Sequence, residues 1–538
     1  MKLRPLGKRA HNIMFHTHTV AGIVISFALF IIFYAGAFAL FKDEMYQWEN
    51  PGARFTVPKT VDYDRVHEAI AKAYPNFKEE GQLTYVFPDR HVPFVQVYGS
   101  LKETDSTTGR FHALVNSENL EVIKSEAPLT TVGDTLYHLH FFDQIPGLGI
   151  WLSGLVSLFF LFAIITGVLI HWKNIINKFY AFTTKGKWKQ IWTNAHTVLG
   201  VIGLPFQVVY AITGALFGLL TLLLAPSALI LFDGDSTAIF KSIRPERGIT
   251  VDPDAALSEN RSLNTLLTDL EAKYTDFEVK NVVMQNYGRE DATATFYIDD
   301  GEGIVGDGLF VYRMKTGKIE TQIAPNKKTY SQTVYNLLIK LHYATFGGML
   351  MKIVYFILAM ITCVIIVSGI LIWQKARDTA QYTERQKRFH HRTTKIYLAI
   401  CLGLFPATAL IFLANKLIPM DAVGRAFQVN TIFFLGWSLL LLTGLFWNNF
   451  RKLNRNYLGI GGAFSLLIPV VNGIVTGDWV WIALSKGLWE VASTDLFWFF
   501  TGITAISLVP IVSREKVLKK ERTKASTEGL SMKTNGSL

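Results

Sequence analysis

Residues 18–22 read His-Thr-Val-Ala-Gly, and residues 196–200 read His-Thr-Val-Leu-Gly. Each stretch opens a long apolar segment, and a second glycine follows 18 residues after the histidine, at Gly36 and at Gly214. Two similar stretches with equal spacing indicate an internal repeat, which has to be recognised before single motifs are interpreted.

A second pair of matched sequences completes the repeat. Leu139-His140 and Leu341-His342 each precede an apolar segment, and a glycine follows 27 residues after each histidine, at Gly167 and Gly369. One repeat unit therefore contains a helix, an intervening domain, a Leu-His pair and a second helix. Because both units run in the same direction, they predict a pseudo-two-fold axis along the normal of a membrane.

The composition indicates a membrane protein. Half of the 538 residues are hydrophobic and only 18% are charged, whereas soluble domains contain about 25% charged residues. A transmembrane helix needs about 20 mostly apolar residues. Eight segments qualify, near 19–41, 148–172, 195–225, 349–374, 394–415, 427–447, 457–475 and 494–513. The seventh is the weakest because Pro469 and Asn472 interrupt it, and the third is expected to continue toward Pro226. Both cysteines lie in apolar segments, which excludes a disulfide framework.

Basic residues flank alternate apolar segments and predict the orientation. Lys and Arg cluster before the first segment, between the second and third, and after the fourth, sixth and eighth. By the positive-inside rule both termini are cytosolic, and residues 43–147 and 232–348 lie outside. The basic residues do not form one long stripe, so membrane orientation is favoured over nucleic-acid binding. The first apolar segment is about twice as long as the core of a signal peptide, and we expect it to be retained.

The predicted fold is an α-helical polytopic membrane protein with about eight transmembrane helices, an internal repeat in the first four, and two small external α+β domains. Helices are expected near 64–74 and 261–274, and strands near 83–87, 92–98, 110–115, 120–124, 278–286, 292–298 and 308–314. The predicted organisation is 1–42, cytosolic N-terminus and first helix; 43–147, first external domain; 148–231, second and third helices with a cytosolic loop; 232–348, second external domain; 349–374, fourth helix; 375–393, basic cytosolic loop; 394–513, four further helices; and 514–538, a disordered cytosolic tail.

Four histidines occupy equivalent places in the repeat and are the candidate ligands. His18 and His196 begin helices at the cytosolic face, and His140 and His342 precede helices at the outer face. A two-fold axis places equivalent residues of the two copies near each other, which predicts one histidine pair at each membrane surface. Neutral imidazole is a common metal ligand and an axial ligand of haem iron. Histidines inside membrane bundles are usually functional.

Small and polar residues on the same helices favour a flat cofactor. Glycine leaves room for a macrocycle, and Gln207 and Tyr210 supply polar groups at mid-membrane depth. The stripe on the first helix contains His18, Gly22 and Gly36. The stripe on the third helix has steps of three and four residues and contains His196, Gly200, Gly203, Gln207, Tyr210 and Gly214. Close helix packing is the alternative interpretation of such stripes, and repetition in both halves favours ligation.

Other histidines are alternative ligands. His16 and His138 each lie two residues from one of the four repeated histidines. His171 ends the second helix at its cytosolic side, but its counterpart in the repeat is Trp373. His391 precedes the fifth helix in a basic loop, where a solvated position is favoured over ligation, as it is for the adjacent His390. The remaining histidines are interpreted as surface residues: His11, His67, His91 and His112.

Several cofactor motifs are missing from the sequence. It contains neither a phosphate-binding G-x-x-x-x-G-K-[ST] loop nor a G-x-G-x-x-G motif after a strand. The absence of C-x-x-C-H excludes covalent c-type haem. An electron-transfer function therefore needs a separate cytosolic or quinol donor.

The same residues resemble the PepSY-associated transmembrane helix family. The pattern from His18 and Gly22 through Gly36 to residues 41–44 is similar to the opening of that family, and Leu139-His140 with Thr166-Gly167 is similar to its second helix. Residues 111–116 and 311–317 resemble the closing hairpins of PepSY domains. The resemblance covers roughly residues 10–375. The sequence departs from the family pattern at Ala35-Gly36, because Thr-Gly is usual at this place; the second copy has the usual Thr213-Gly214. It also departs in having four additional helices.

The resemblance implies a multi-pass protein of the bacterial inner membrane that takes part in iron acquisition and is similar to ferric-siderophore reductases. It implies b-type haem, expected as two groups, with His18, His140, His196 and His342 as ligands. The implied activity is that of an oxidoreductase, a transmembrane ferric-chelate reductase. Its implied partners are a ferric siderophore or other iron chelate on the periplasmic side and a cytosolic or quinol electron donor.

Two competing interpretations belong to other classes of protein. A transporter or permease accessory for iron or siderophore would pass its substrate between the repeats. The centres of the first four helices contain no charged residue, which argues against this function. A non-enzymatic regulator would use its PepSY domains to bind other proteins of the envelope.

Overall fold

In the computed structural model, residues 7–102, 109–124, 131–180, 188–301, 303–304, 306–325, 327–447 and 449–534 are described. The chain forms two compact units. The first comprises residues 1–184 and 194–365, and the second comprises residues 185–193 and 366–538.

The repeat and the sheet belong to the first unit. Its helices, of which α7 and α12 also extend into the second unit, are α1 (Lys8–Ala39), α2 (Lys42–Glu49), α3 (Tyr63–Ala73), α4 (Val132–His140), α5 (Gly149–His171), α6 (Ile175–Phe179), α7 (Trp188–Ile202), α8 (Leu204–Leu231), α9 (Ser236–Ile243), α10 (Leu263–Lys273), α11 (Tyr330–Tyr343) and α12 (Gly348–Ala376).

The second unit is helical over its described residues. Its helices are α13 (Glu384–Leu417), α14 (Arg425–Phe446), α15 (Phe450–Thr476), α16 (Val480–Ser485) and α17 (Trp489–Thr534). The final helix thus continues to Thr534, through much of the segment predicted as a disordered tail, and that segment is rich in the good helix formers Lys, Glu and Arg.

Among the described residues, eight helices are long and apolar enough to cross a membrane, namely α1, α5, α8, α12, α13, α14, α15 and α17. The predicted number of spans is confirmed. The third segment bends at Gly203 into α7 and α8, and α8 continues past Pro226 as expected. The seventh segment forms the uninterrupted helix α15, in which the buried Asn472 amide donates to Asp495 of α17 at 2.8 Å.

The two external segments contribute to a single antiparallel sheet. Its strands are β1 (Leu83–Val86), β2 (Phe94–Ser100), β3 (Arg110–Asn116), β4 (Val122–Lys124), β5 (Glu278–Gln285), β6 (Thr293–Asp299), β7 (Gly308–Arg313) and β8 (Lys318–Ile323). The strand order is β4-β3-β2-β1-β5-β6-β7-β8. Pairing of β1 with β5, from Leu83 opposite Met284 to Val86 opposite Asn281, joins the two segments that the sequence predicted as separate domains.

One hydrophobic core serves both halves of the sheet. Helices α3 and α10 pack against it through Val66, Ile70, Leu266 and Leu270, all of which are almost fully buried. The short helices α4 and α11 follow the last strand of each half and lead back to the membrane-spanning helices. They matter most for the site, because each presents one of the four repeated histidines.

Candidate functional site

The four repeated histidines form two pairs within the first unit. In the far pair, His18 of α1 and His196 of α7 have ring centroids 6.2 Å apart. In the sheet-side pair, His140 of α4 and His342 of α11 have ring centroids 6.0 Å apart. His140 contacts α1 at Ile32, and that residue lies about 21 Å from the level of His18 at 1.5 Å per residue of helix. Both levels therefore fit within a hydrocarbon layer of about 30 Å.

Hydrogen bonds fix the ring orientation in three of the four histidines. A carbonyl oxygen only accepts, so in a neutral ring the hydrogen lies on Nδ1 and the lone pair on Nε2. The Nδ1 atoms and their carbonyl acceptors are His18 with Ala163 at 2.8 Å, His140 with Ile32 at 2.7 Å, and His196 with Ile365 at 2.9 Å.

In the fourth histidine a hydroxyl group, instead of a carbonyl group, places the hydrogen on Nδ1. His342 Nδ1 lies 2.8 Å from Thr213 Oγ1, and the Thr213 hydroxyl donates to the carbonyl oxygen of Val209 at 2.7 Å. Because the only hydrogen of the Thr213 hydroxyl is donated to Val209, this hydroxyl accepts a hydrogen bond from Nδ1–H of His342. All four imidazoles therefore have the second-shell hydrogen bond that orients Nε2 in metal-binding histidines.

The spacing of both pairs suits one metal ion between two rings. Metal–imidazole bonds of about 2.0–2.1 Å on opposite sides of a metal place the ring centroids about 6–7 Å apart. Contacting aromatic rings also have centroids about 4.5–7 Å apart. The distance alone therefore does not distinguish a ligand pair from a packed pair, and the common orientation of the four rings is the feature that favours ligation.

Burial keeps the sheet-side pair neutral. Burial, together with the neighbouring His140, lowers the pKa of His342 to about 3. Burial also lowers the pKa of His140, against the opposite effect of its hydrogen bond to Ile32. A metal requires the neutral imidazole, so both residues are in the binding form at physiological pH.

A cavity of about 340 Å³ lies beside the sheet-side pair. Its wall is mostly apolar, and its charged lining residues are Lys42, Asp43 and Lys352. Largely apolar pockets of this size with a few placed polar groups are typical of cofactor sites. The lining includes both histidines of the pair together with Leu29, Ile32, Phe33, Gly36, Ser157, Phe160, Phe206, Tyr210, Gly214, Phe217 and Gly218.

Two glycines allow histidine rings to lie close to the backbone of a neighbouring helix. A Cβ atom at Gly36 would lie 2.6 Å from Nδ1 of His140, and one at Gly167 would lie 3.2 Å from Cε1 of His18. Gly36 is therefore needed for the observed position of the His140 ring, rather than for space around a macrocycle.

The other predicted glycines serve different purposes. A Cβ atom at Gly22 or Gly200 would meet no atom within 4 Å, which leaves open space on these helix faces. At Gly203 it would lie 2.7 Å from the side chain of Gln207, and at Gly214 it would lie 2.6 Å from a side chain of α5. The close packing of two helices is thus seen at Gly214, whereas the nearest atom at Gly203 belongs to a side chain one turn further along its own segment.

Gln207 and Tyr210 are the polar residues predicted on the third helix. Gln207 is buried, and its Nε2 atom has no hydrogen-bond partner in the described part of the chain. The Tyr210 hydroxyl donates to the carbonyl oxygen of His342 at 2.8 Å, and the two rings lie 5.1 Å apart. Tyr210 thus lies beside the sheet-side pair and supports the helix turn that contains His342.

The alternative histidines lie in other surroundings. His16 is exposed on α1, and His138 Nδ1 lies 2.9 Å from Asp143. His171, at the end of α5, is close enough to His196 to interact electrostatically with it. His391, in the second unit, stacks on Phe450 with ring centroids 4.4 Å apart, and the adjacent His390 contacts the ring of Trp373.

The surface position predicted for His67 is wrong. Its side chain is largely buried between α3 and the sheet, with Nδ1 2.7 Å from the hydroxyl of Tyr85. Burial lowers the pKa of His67 to about 4. The helical periodicity around residue 67 places it beside the apolar face that packs on the sheet, a signal that the sequence contained.

A buried carboxylate that no sequence pattern indicated contacts the start of α4. The Glu49 carboxylate is almost fully buried and accepts hydrogen bonds from the backbone N–H groups of Thr131, Val132 and Gly133 at 2.8, 2.9 and 3.1 Å. A carboxylate is favoured at the N-terminus of a helix. His140 occupies the other end of the same helix, so Glu49 helps to set its position.

Helix α11 has a buried anchor of the opposite charge. Lys340 is only 1% exposed, and its ammonium lies 2.7 Å from Asp299, 3.0 Å from Asp300 and 2.8 Å from Asp307. The only sequence signal was a lysine two residues before His342. Buried charged side chains therefore contact both helices that carry the histidines of the sheet-side pair.

This combination of fold and site defines a class: a multi-pass membrane protein with a repeated pair of helices, a shared external sheet and paired histidines. The chain belongs to the family described as PepSY-associated TM region, which matches residues 15–376. It is similar to Uncharacterized protein PA4219 of Pseudomonas aeruginosa, with 23% identity over 369 residues that cover 63% of this chain and 86% of the relative. The family predicted from the motifs is confirmed, and α13–α17 follow the matched region.

Proposed function

We propose that this protein is a transmembrane oxidoreductase that binds two b-type haems and reduces a ferric chelate on the side of the membrane where the sheet lies. The observation that carries the proposal is the common state of the four repeated histidines. They form two pairs at two depths, and each ring has Nδ1–H engaged in a hydrogen bond and its lone pair on Nε2. Axial histidine ligation of haem iron uses this form of the ring.

Haem supplies reversible one-electron transfer, so the chain need not provide a general acid or a nucleophile. Its residues orient the ligands and keep the interior dry. Phe160 lies one turn from Ala163, the partner of His18, and its ring centroid lies 5.4 Å from that of Phe33. The Phe33 ring in turn lies 6.1 Å from that of Phe206. All three rings line the cavity beside the sheet-side pair and keep its wall apolar.

The proposed direction of electron flow follows from the charge distribution. In the first unit, Lys and Arg flank the ends of α1 and α5 that lie away from the sheet, which supports cytosolic termini and a periplasmic sheet in the bacterial inner membrane. Electrons would then come from a cytosolic or quinol donor. A ferric siderophore binds Fe(III) through hard oxygen donors, and reduction to Fe(II) weakens that binding and releases the metal.

An absorption spectrum of the purified protein tests the proposal directly. We expect a Soret band that sharpens on addition of dithionite, and two haems per chain by pyridine haemochrome assay. A colourless protein after expression with excess haem would overturn the proposal. In proteoliposomes with an enclosed reductant, His140→Ala and His342→Ala should each abolish reduction of an external ferric chelate, and His16→Ala, at an exposed position, is the matched control.

A further inference from the structure

We propose that the sheet side of this protein accepts ferric chelates that are neutral or cationic and disfavours anionic ones. This inference rests on the proposed reductase function and adds the charge class of the substrate to it. The distribution of charge along the chain and the pairing of the two lysines in the cavity support it independently.

The external segments are acidic although the chain as a whole is basic. Residues 43–147 and 232–348 contain 22 Lys and Arg against 33 Asp and Glu, a net charge of −11, whereas the complete chain has a net charge of +11. A surface with an excess of one charge raises the local concentration of oppositely charged ligands and lowers that of like-charged ones. A cationic chelate would therefore reach the sheet side faster than an anionic one.

The lysines that line the cavity are already compensated. Lys42 forms an ion pair with the buried Asp134, and the ammonium of Lys352 lies 2.6 Å from Oε1 of Glu44. Glu44 is only 7% exposed, and its second oxygen, Oε2, has no hydrogen-bond partner among the described residues. Asp43 adds a further carboxylate to the lining. These five side chains have a net charge of −1.

An anionic chelate would find no uncompensated cation here. To pair with Lys42 or Lys352 it would have to displace a buried carboxylate, and separating a buried ion pair is strongly unfavourable. A cationic group, in contrast, can approach Asp43, an exposed residue of the cavity lining, without displacing either lysine.

The same charge assists release of the product. The chelate accepts one electron, supplied by the reductant on the opposite side of the membrane, and its Fe(III) becomes Fe(II). No bond to the protein forms or breaks, and the net charge of the complex falls by one. A complex that arrives with a charge of +1 leaves neutral, so its attraction to the acidic surface disappears on reduction.

A series of chelates that differ only in charge tests the proposal. A linear trihydroxamate with one pendant amine binds Fe(III) as a complex of charge +1, because three hydroxamate anions cancel the metal charge. Acetylation of the amine gives a complex of charge 0, and succinylation gives −1, with the iron coordination unchanged. Rates of reduction would be measured outside proteoliposomes that enclose a reductant, at low and at high ionic strength.

At low ionic strength we expect kcat/KM to decrease from the +1 to the 0 to the −1 complex, by about tenfold or more over the series, and the rates to converge at high salt. Asp43→Lys should reduce this difference, and Asp43→Asn should do so to a smaller extent. Glu118→Lys, an equal charge change at an exposed residue of the β3–β4 turn, is the control and should alter the difference less than Asp43→Lys.

Equal rates for the three complexes at low salt would overturn the charge preference and leave the reductase function standing. Reduction of none of them by protein that contains haem would overturn the reductase function and this inference together. The haem spectrum of each variant shows whether it has folded with its cofactor, and Asp43→Asn preserves the size of the side chain in case the lysine variant does not fold.

Discussion

Gly36→Ala should displace the His140 side chain and so prevent haem binding at the sheet-side pair, although neither histidine of the pair is replaced. The added Cβ atom would lie 2.6 Å from Nδ1 and 2.7 Å from Cε1 of His140. Non-bonded atoms normally approach to about 3.5–4.0 Å. The ring of His140 would therefore have to retreat by about 1 Å from helix α1.

That retreat breaks the hydrogen bond that orients the ring. Nδ1 of His140 donates to Ile32, one turn earlier on the same helix as Gly36, at 2.7 Å. Losing this bond costs about 1 kcal/mol, and overpacking of a filled site costs about 1–3 kcal/mol. Loss of such an outer hydrogen bond weakens metal binding about 10–100-fold. We expect the variant to fold with the far pair intact and the sheet-side haem lost.

The assay is haem stoichiometry in purified protein. Gly36→Ala should contain about one haem per chain where the wild type contains two, and it should no longer reduce an external ferric chelate. Gly52→Ala is the control, because a Cβ atom at Gly52 would meet nothing within 4 Å. A Gly36→Ala protein with two haems and an unchanged low-spin spectrum would refute the reasoning.

Four further predictions concern the remaining parts of the site. Thr213→Val removes the acceptor of a ligand histidine and should shift the midpoint potential of the sheet-side haem, measured by spectroscopic titration, while the far haem keeps its potential. His171→Ala should retain both haems and His196→Ala should lose one; the opposite result would place the cofactor between α1 and α5. Gly200→Leu enters open space, so thermal unfolding of the haem-free protein should be unchanged while haem binding is lost. Lys340→Met leaves three carboxylates without their cation and should lower the free energy of unfolding by about 3–5 kcal/mol.

The membrane-spanning helices and the pairing of the histidines could be predicted because their signals are local or repeated. A helix that crosses a bilayer must be a long apolar run, and the eight runs are visible in the sequence. The pairing of His18 with His196, and of His140 with His342, follows from equal spacing in two copies. Both arrangements could be inferred without knowledge of any long-range contact.

The junction of the sheet and the anchors of the ligand-bearing helices depend on long-range contacts and could not be predicted. Nothing in the sequence of β1 or β5 specifies that they pair with each other. Glu49 contacts backbone groups more than 80 residues away, and Lys340 contacts carboxylates at the end of β6 and in the loop that follows it. The role of each glycine could not be predicted either. The same residue type leaves room for the His140 ring at Gly36 and allows close helix packing at Gly214.

The far pair follows the symmetry of the repeat closely. His18 donates to the carbonyl oxygen of Ala163, four residues before Gly167. His196 donates to the carbonyl oxygen of Ile365, four residues before the equivalent glycine of the second copy. The two imidazoles of this pair therefore have the same kind of acceptor in the same place, and a metal between them would have two similar ligands.

The sheet-side pair departs from this symmetry at one position of the sequence. His342 donates to the hydroxyl of Thr213, whose counterpart in the first copy is Ala35. Alanine has no hydroxyl, and His140 instead donates to the backbone carbonyl of Ile32. The acceptor of an imidazole determines how basic its other nitrogen is, so a metal bound between His140 and His342 would have two ligands of different strength. The departure from Thr-Gly at residues 35–36 therefore makes the sheet-side site chemically unsymmetric, which distinguishes it from the far site within the same repeat.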